Sequence, residues 1–153
     1  MSEQEAVGAF ASLLQASGLQ AALAFLNSRT PYRCTAVYRY DGHVMTNVLL
    51  YDRMDPHASH GIDVAVADAY CAQVAERRQA FEFTDTRLLA RSELRPHNPV
   101  VCYCGVVLQD PAGAIWGTLC HYDFQPCQMR RSDIPLLQAV SPLVYAALAP
   151  GRG

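Results

Sequence analysis

Lysine is absent from this chain of 153 residues, and all 12 of its basic residues are arginine. The absence excludes chemistry that needs a lysine amine, such as a Schiff base or a phosphate-binding lysine loop. With 14 acidic residues the formal net charge is −2. That charge supplies no electrostatic attraction to nucleic acid, so we expect no nucleic-acid partner.

Charges are scarce and long apolar runs are missing. Charged residues make up 17% of the chain and hydrophobic residues 51%, which favours a compact fold with apolar area left for a partner. No apolar run approaches the roughly 20 residues of a membrane span, and the acidic start MSEQEA is unlike a signal peptide. We therefore expect a cytoplasmic protein without a membrane partner, whose six cysteines are reduced.

The length predicts a single domain over residues 1–153. Apolar periodicity predicts helices at residues 3–16, 19–27, 64–77 and about 133–148. Strand-like runs occur at residues 34–40, 43–51, 81–83, 101–108 and 114–122. The turns Asp41-Gly42 and Asp110–Gly113 predict two antiparallel hairpins. Residues 84–99 form a long irregular connection, of a kind that is usually functional or mobile.

The second hairpin is the most informative segment, because strand alternation divides it into two faces. If Gln109 pairs with Ala114, Tyr103 lies opposite Cys120. One face then carries Cys102, Cys104, Val106, Leu108, Ile115, Leu119 and His121. The other carries Tyr103, Gly105, Val107, Trp116, Thr118, Cys120 and Tyr122. The first face suits a helix-covered core. The second mixes hydroxyls, rings and small residues, as a small-molecule pocket requires, although a packed core is the alternative.

Several segments together resemble the GAF domain, a small sensory fold. They are YRCTAVYRYDG (32–42), Tyr70-Cys71, YCGVVL (103–108), WGTLCHYD (116–123) and the closing SDIPLLQAVSPLVYAAL (132–148). The resemblance spans about residues 10–149. It implies an α+β fold with about six antiparallel strands and with the terminal helices on one face, where they often mediate dimerisation. A ligand cavity would lie on the other face, under the central helix and the long loops.

The candidate ligand-binding residues follow from this arrangement. They are Tyr103, Thr118, Cys120 and Tyr122 on the hairpin, Cys71 on the central helix, and Arg95 and His97 in the long loop. An arginine that reaches inward would favour a carboxylate or phosphate, and hence an anionic ligand. The alternative is that the loop charges are simply solvated.

The leading functional hypothesis is a non-catalytic sensor that binds a small organic molecule, forms a homodimer through its terminal helices and signals to a partner in trans. One alternative is a thiol-based enzyme similar to the free methionine-sulfoxide reductases, a GAF branch with cysteines in its loops. The loop 84–99 has no cysteine, and Tyr103, Cys120 and Tyr122 stand where that branch places acids. Another alternative is an interaction module whose own side chains fill the cavity.

The sequence contains only weak indications of a cofactor site. Cys102, Cys104 and His121 are residue types that bind zinc, but two thiolates in one strand do not converge readily, so no metal site is expected. The dipeptide Cys120-His121 resembles a bilin attachment site but falls in a strand rather than a helix. No catalytic residue is assigned, and the sequence identifies no cofactor.

Overall fold

The computed structural model describes residues 1–148, so residues 149–153 of the predicted domain lie outside the described part. Its α-helices are α1 (Glu3–Ser17), α2 (Leu19–Ser28), α3 (Tyr70–Arg77) and α4 (Ile134–Leu148). Its strands are β1 (Cys34–Tyr40), β2 (Val44–Asp52), β3 (Val64–Ala65), β4 (Phe81–Phe83), β5 (Cys102–Gln109) and β6 (Ile115–Asp123). None of the helices within these residues is long and apolar enough to cross a membrane.

The strands form one antiparallel sheet in the order β3-β2-β1-β6-β5-β4, which confirms the predicted α+β class. Both predicted hairpin turns are present, and an aspartate organises each of them. Asp41 Oδ1 accepts from the backbone N–H groups of His43 and Val44 at 2.8 Å, and Asp110 Oδ1 accepts from two N–H groups in the second turn. Such side-chain caps fix the reversal and hence the register of the strands that follow.

Helices α1, α2 and α4 cover one face of the sheet. Phe10, Leu23, Leu26 and Leu137 are fully buried there against the inward side chains of β1, β5 and β6. Helix α4 continues through Pro142, which has no N–H to donate to Gln138 O. Ser141 Oγ lies 2.8 Å from Leu137 O and 3.0 Å from Gln138 O, so its single hydroxyl hydrogen is shared between these two carbonyls beside the proline.

The register of the second hairpin differs from the prediction by two residues. Tyr103 pairs with Tyr122 rather than with Cys120. Gln109 pairs with Ile115 instead of Ala114, which shifts the register by one residue, and a bulge that leaves Trp116 without a partner in β5 shifts it by one more. A shift of two residues keeps every side chain between 102 and 108 on its predicted face. On β6, Trp116 does not lie on its predicted face. It packs against Tyr145 of α4, with ring centroids 6.2 Å apart, and not on the cavity side.

The predicted helix over 64–77 is only partly correct. Val64 and Ala65 pair with β2 as an edge strand, a short 3-10 turn follows, and α3 begins at Tyr70. The apolar spacing of residues 64–68 fits both a helix and a short strand, and the hydrogen bonds to β2 decide between them. The segment 62–71 therefore runs across the end of the sheet rather than along a single helix axis.

Candidate ligand-binding cavity

A cavity of about 270 Å³ lies between α3 and the sheet face opposite α1, α2 and α4. Its floor comes from β1, β5 and β6, and the segments 62–71 and 97–100 form its walls. The lining residues are Tyr38, Ile62, Asp63, Val64, Ala65, Asp68, Ala69, Tyr70, Cys71, His97, Asn98, Pro99, Val100, Tyr103, Cys120, Tyr122 and Phe124. Ligand pockets usually measure about 300 to 1,000 Å³, so this cavity suits a small molecule.

Two other clefts are larger, about 420 Å³ beside β4 and about 430 Å³ beside residues 126–128. Like the cavity under α3, both are lined mainly by exposed or half-buried residues. The cavity under α3 differs in its floor, where Tyr38, Tyr103 and Cys120 of the interior strands β1, β5 and β6 are buried. It is therefore the candidate site.

The strand register brings the floor residues together. Tyr103 pairs with Tyr122, and Gly105 pairs with Cys120, so all four positions face the cavity side of the sheet. The Tyr103 ring extends over Gly105, and a Cβ at position 105 would collide with the Tyr103 hydroxyl. Glycine is thus required at position 105 for the tyrosine to lie flat along the sheet.

Tyr103 carries the least satisfied polar group of the cavity. Its side chain is only 3% exposed, yet within residues 1–148 its hydroxyl has no nitrogen or oxygen hydrogen-bond partner, and beside it lies only the Cys120 thiol, a weak partner. Tyr38 and Tyr122, by comparison, place their hydroxyls 3.4 Å apart, and the Tyr70 hydroxyl accepts from the backbone N–H of Arg95. A buried polar group without a partner is rare in folded proteins and calls for an explanation.

Five of the seven predicted site residues line the cavity: Cys71, His97, Tyr103, Cys120 and Tyr122. Two do not. Thr118 is fully buried beside Cys71, below the cavity surface. Arg95 is not among the lining residues: its Nη1 donates to Ser92 O at 3.3 Å, and its Nε is buried without a hydrogen-bond partner in the described residues.

Sequence reasoning missed several lining residues, notably Tyr38, Asp63, Asp68 and Phe124. Alternation along β1 could have identified Tyr38, which pairs with Thr118 of β6. Asp68 lies in the segment 64–77 that was wrongly predicted as one helix, and Asp63 directly precedes it. Phe124 follows the end of β6, where strand alternation no longer applies.

The charged lining groups are acidic on balance. Asp63 and Asp68 line the cavity with His97, and no arginine is among the lining residues. Asp63 Oδ1 accepts from the backbone N–H of Asn47 at 2.9 Å, which fixes its carboxylate. Within the described residues neither aspartate is in an ion pair. This distribution does not support the predicted anionic ligand.

All six cysteines are free and buried. Burial raises the pKa of Cys71 to about 12 and that of Cys34 also to about 12, and it raises the pKa of Cys120 well above the usual thiol range. The reactive thiolate is therefore scarcely populated at neutral pH in these residues.

A chain of buried hydrogen bonds occupies the opposite side of the sheet. Asn27 Nδ2 donates to Thr35 Oγ1, which lies 2.6 Å from His121 Nδ1, and His121 Nε2 lies 2.7 Å from Asp133 Oδ2. Arg53 donates to Asn27 Oδ1, and the Tyr32 ring stacks on His121. Both ring nitrogens of His121 are thus engaged in structural contacts, rather than available to a ligand.

Comparison with known proteins agrees with this geometry. Residues 12–148 match the GAF domain, whereas no curated protein matches the chain. The GAF domain of an Acinetobacter phosphoenolpyruvate-protein phosphotransferase is similar in structure, with a TM-score of 0.76 at 12% identity over 97% of this chain and 95% of that one.

Two further solved structures share the fold. The chromophore-binding domain of a Stigmatella aurantiaca bacteriophytochrome has a TM-score of 0.73 at 12% identity, over 98% of this chain and 60% of that one. The free methionine-R-sulfoxide reductase of Neisseria meningitidis has a TM-score of 0.69 at 13% identity, over 95% and 90%. At these identities the likeness concerns the fold alone. Because the family match covers most of its length, this chain belongs to the GAF domain family.

Proposed function

We propose that the chain is a non-catalytic sensory GAF domain that binds a small organic molecule in the cavity between the sheet and α3. The observation that carries this proposal is the buried, unpartnered hydroxyl of Tyr103 on the cavity floor. An unsatisfied buried polar group costs roughly 1–3 kcal/mol, and a ligand with a matching donor or acceptor removes that cost. The empty volume of about 270 Å³ beside it also speaks against a cavity filled by the protein's own side chains.

The thiol chemistry of a reductase is less well supported. Catalytic cysteines need a depressed pKa and access to substrate. Here the two cysteines at the cavity, Cys71 and Cys120, are buried, and burial raises the pKa of both. We therefore assign them a packing role in the cavity wall.

The helices on the covered face of the sheet, α1, α2 and α4, are the elements that could pass a signal from the cavity to a partner. Helix α1 packs against α2 and α4, and α4 packs on β5 and β6, so a shift of α4 on the sheet is transmitted to α1. We propose that α1 and α4 form the homodimer contact and transmit ligand binding to a signalling partner in trans. A cytoplasmic location fits six reduced cysteines.

A fragment screen by amide NMR tests ligand binding. Val100 lines the cavity, so Val100→Trp should fill part of it, whereas Met54→Trp adds the same ring at an exposed position outside the lining. We expect fragments to shift amides around Tyr103 and Cys120 in the natural protein and in the Met54→Trp control, but not in Val100→Trp. A folded protein in which no fragment perturbs these amides would contradict the proposal.

A further inference from the structure

We propose that the ligand of this cavity is an organic ammonium cation, an inference that rests on the function proposed above. It begins with the rings. Tyr38, Tyr70, Tyr103, Tyr122 and Phe124 all line the cavity, and they come from β1, α3, β5, β6 and the residue after β6. The faces of aromatic rings are electronegative and attract cations that enter from water, most of all when several rings converge.

The charges around these rings have the sign that a cation needs. Asp63 and Asp68 line the cavity without an ion pair in the described residues, so neither negative charge is compensated within the protein. Among the described lining side chains His97 alone is basic; it is exposed, as is Asp63, whereas Asp68 is half-buried. An anionic ligand would meet two carboxylates with no arginine to bind it.

Two arginines, Arg33 and Arg95, lie near the cavity but outside its lining, and Arg95, like the two aspartates, has no ion pair in the described residues. Arg33 stacks over the Phe124 ring at 5.3 Å, but its guanidinium is paired with Asp52 through two hydrogen bonds of 2.9 and 3.0 Å. Arg95 contributes its backbone N–H to Tyr70, while its side chain lies outside the lining. The Arg33 contact also shows that one face of the Phe124 ring already makes a cation–π interaction.

Asp63, one of the two acidic residues in the cavity wall, is held in place without a ligand. Asn47 of β2 donates its backbone N–H to Asp63 and accepts the backbone N–H of Gly61 at 2.8 Å. These two bonds fix segment 61–63 against the sheet, so the carboxylate of Asp63 needs little reorganisation to meet a cation. The hydroxyl of Tyr103, deeper in the cavity, would then serve a polar substituent of the ligand.

Three molecules of nearly the same shape separate charge from volume: choline, its neutral isostere neohexanol, and the anion tert-butylacetate. Each is titrated into the natural protein, with the dissociation constant taken from amide shifts around Tyr103. We expect choline to bind about tenfold more tightly than neohexanol, with tert-butylacetate weakest, and we expect its affinity to fall as salt rises. Equal affinities, or an order that favours the anion, would overturn the cation assignment.

The double substitution Asp63→Asn and Asp68→Asn tests whether the two carboxylate charges attract the cation. Asparagine is chosen because its side-chain oxygen can still accept the hydrogen bond from the Asn47 backbone N–H. We expect the double substitution to weaken choline binding roughly tenfold and to leave neohexanol unchanged. Asp55→Asn, an exposed acid outside the lining, is the control and should alter neither. Unchanged choline binding in the double variant would overturn the assignment.

The two proposals fail in different ways. Binding of neohexanol or tert-butylacetate that Val100→Trp abolishes, without a preference for choline, overturns the cation while small-molecule binding stands. Failure of all three molecules to shift the cavity amides also overturns the cation. The fragment screen then decides whether the cavity binds anything.

Discussion

His121 and Asp133 are joined by a buried hydrogen bond of 2.7 Å between Nε2 and Oδ2, which ties the C-terminal part of β6 to the residue that precedes α4. On the same strand the neighbours of His121 are Cys120 and Tyr122, which face the cavity on the other side of the sheet. A displacement of β6 by a ligand would therefore be transmitted to the start of α4 through this bond.

Asp133→Ala should lower the free energy of unfolding by roughly 1–3 kcal/mol, because it leaves His121 buried without one of its two partners. Urea unfolding measures the change, and Gln138→Ala on the exposed side of α4 is the control, with an expected change near zero. Equal stability of the two variants would mean that the bond contributes nothing to the attachment of α4.

The neutral His121 ring should carry its proton on Nε2. Asn27 Nδ2 donates to Thr35 Oγ1, which leaves the threonine hydroxyl hydrogen free to donate to His121 Nδ1. Only the Nε2–H tautomer then also donates to Asp133. Nitrogen chemical shifts of the imidazole distinguish the tautomers, and a protonated Nδ1 in the neutral ring would contradict this hydrogen-bond chain.

Stability should fall as the solution becomes alkaline. Burial raises the pKa of Cys34 and of Cys71 to about 12, whereas an unfolded chain has thiol pKa values of about 8.5. Above that value the unfolded state releases protons that the folded state retains, so each such thiol lowers the free energy of unfolding by about 1.4 kcal/mol per pH unit until the folded pKa is reached.

Urea midpoints between about pH 8 and about pH 10 test this dependence. Cys71→Ala removes one buried thiol and should make the decline shallower by about one proton. A stability that is flat over this range, or a variant that declines as steeply as the natural protein, would show that the thiols ionise as freely as in the unfolded chain.

The alternation of side chains between the two faces of a strand supplied most of what could be predicted of the site. Because side chains on a strand repeat every two residues, Tyr103, Cys120 and Tyr122 were placed on the correct face although the pairing was shifted by two. The bulge that turns Trp116 toward α4 breaks this rule, and nothing in the local composition marks it.

The walls of the cavity were less predictable than its floor. Asp68 lies in a segment whose apolar spacing resembles a helix, and Asp63 directly precedes that segment. Hydrogen bonds to β2 and Asn47 determine the course of the chain there. Arg95 was expected to point inward, but the loop turns its side chain toward Ser92. Loop orientation depends on such long-range contacts, which no periodic pattern records.

Tyr103→Phe should stabilise the ligand-free protein and weaken ligand binding. The substitution removes a buried hydroxyl without a partner, which should raise the free energy of unfolding by about 1 kcal/mol. Tyr40→Phe is the control, since its hydroxyl is at the surface near Glu76 and its removal should change stability little. A loss of stability in Tyr103→Phe, measured by urea unfolding, would show that the hydroxyl is satisfied without a ligand.

The central claim is that the cavity beneath α3 binds an organic ammonium cation, and an experimental structure determined at saturating choline tests it most directly. The account predicts density for the ligand among the rings of Tyr38, Tyr103 and Tyr122, with its hydroxyl within hydrogen-bonding distance of Tyr103. A cavity that stays empty under these conditions, or one closed by the inward movement of those rings, would contradict it.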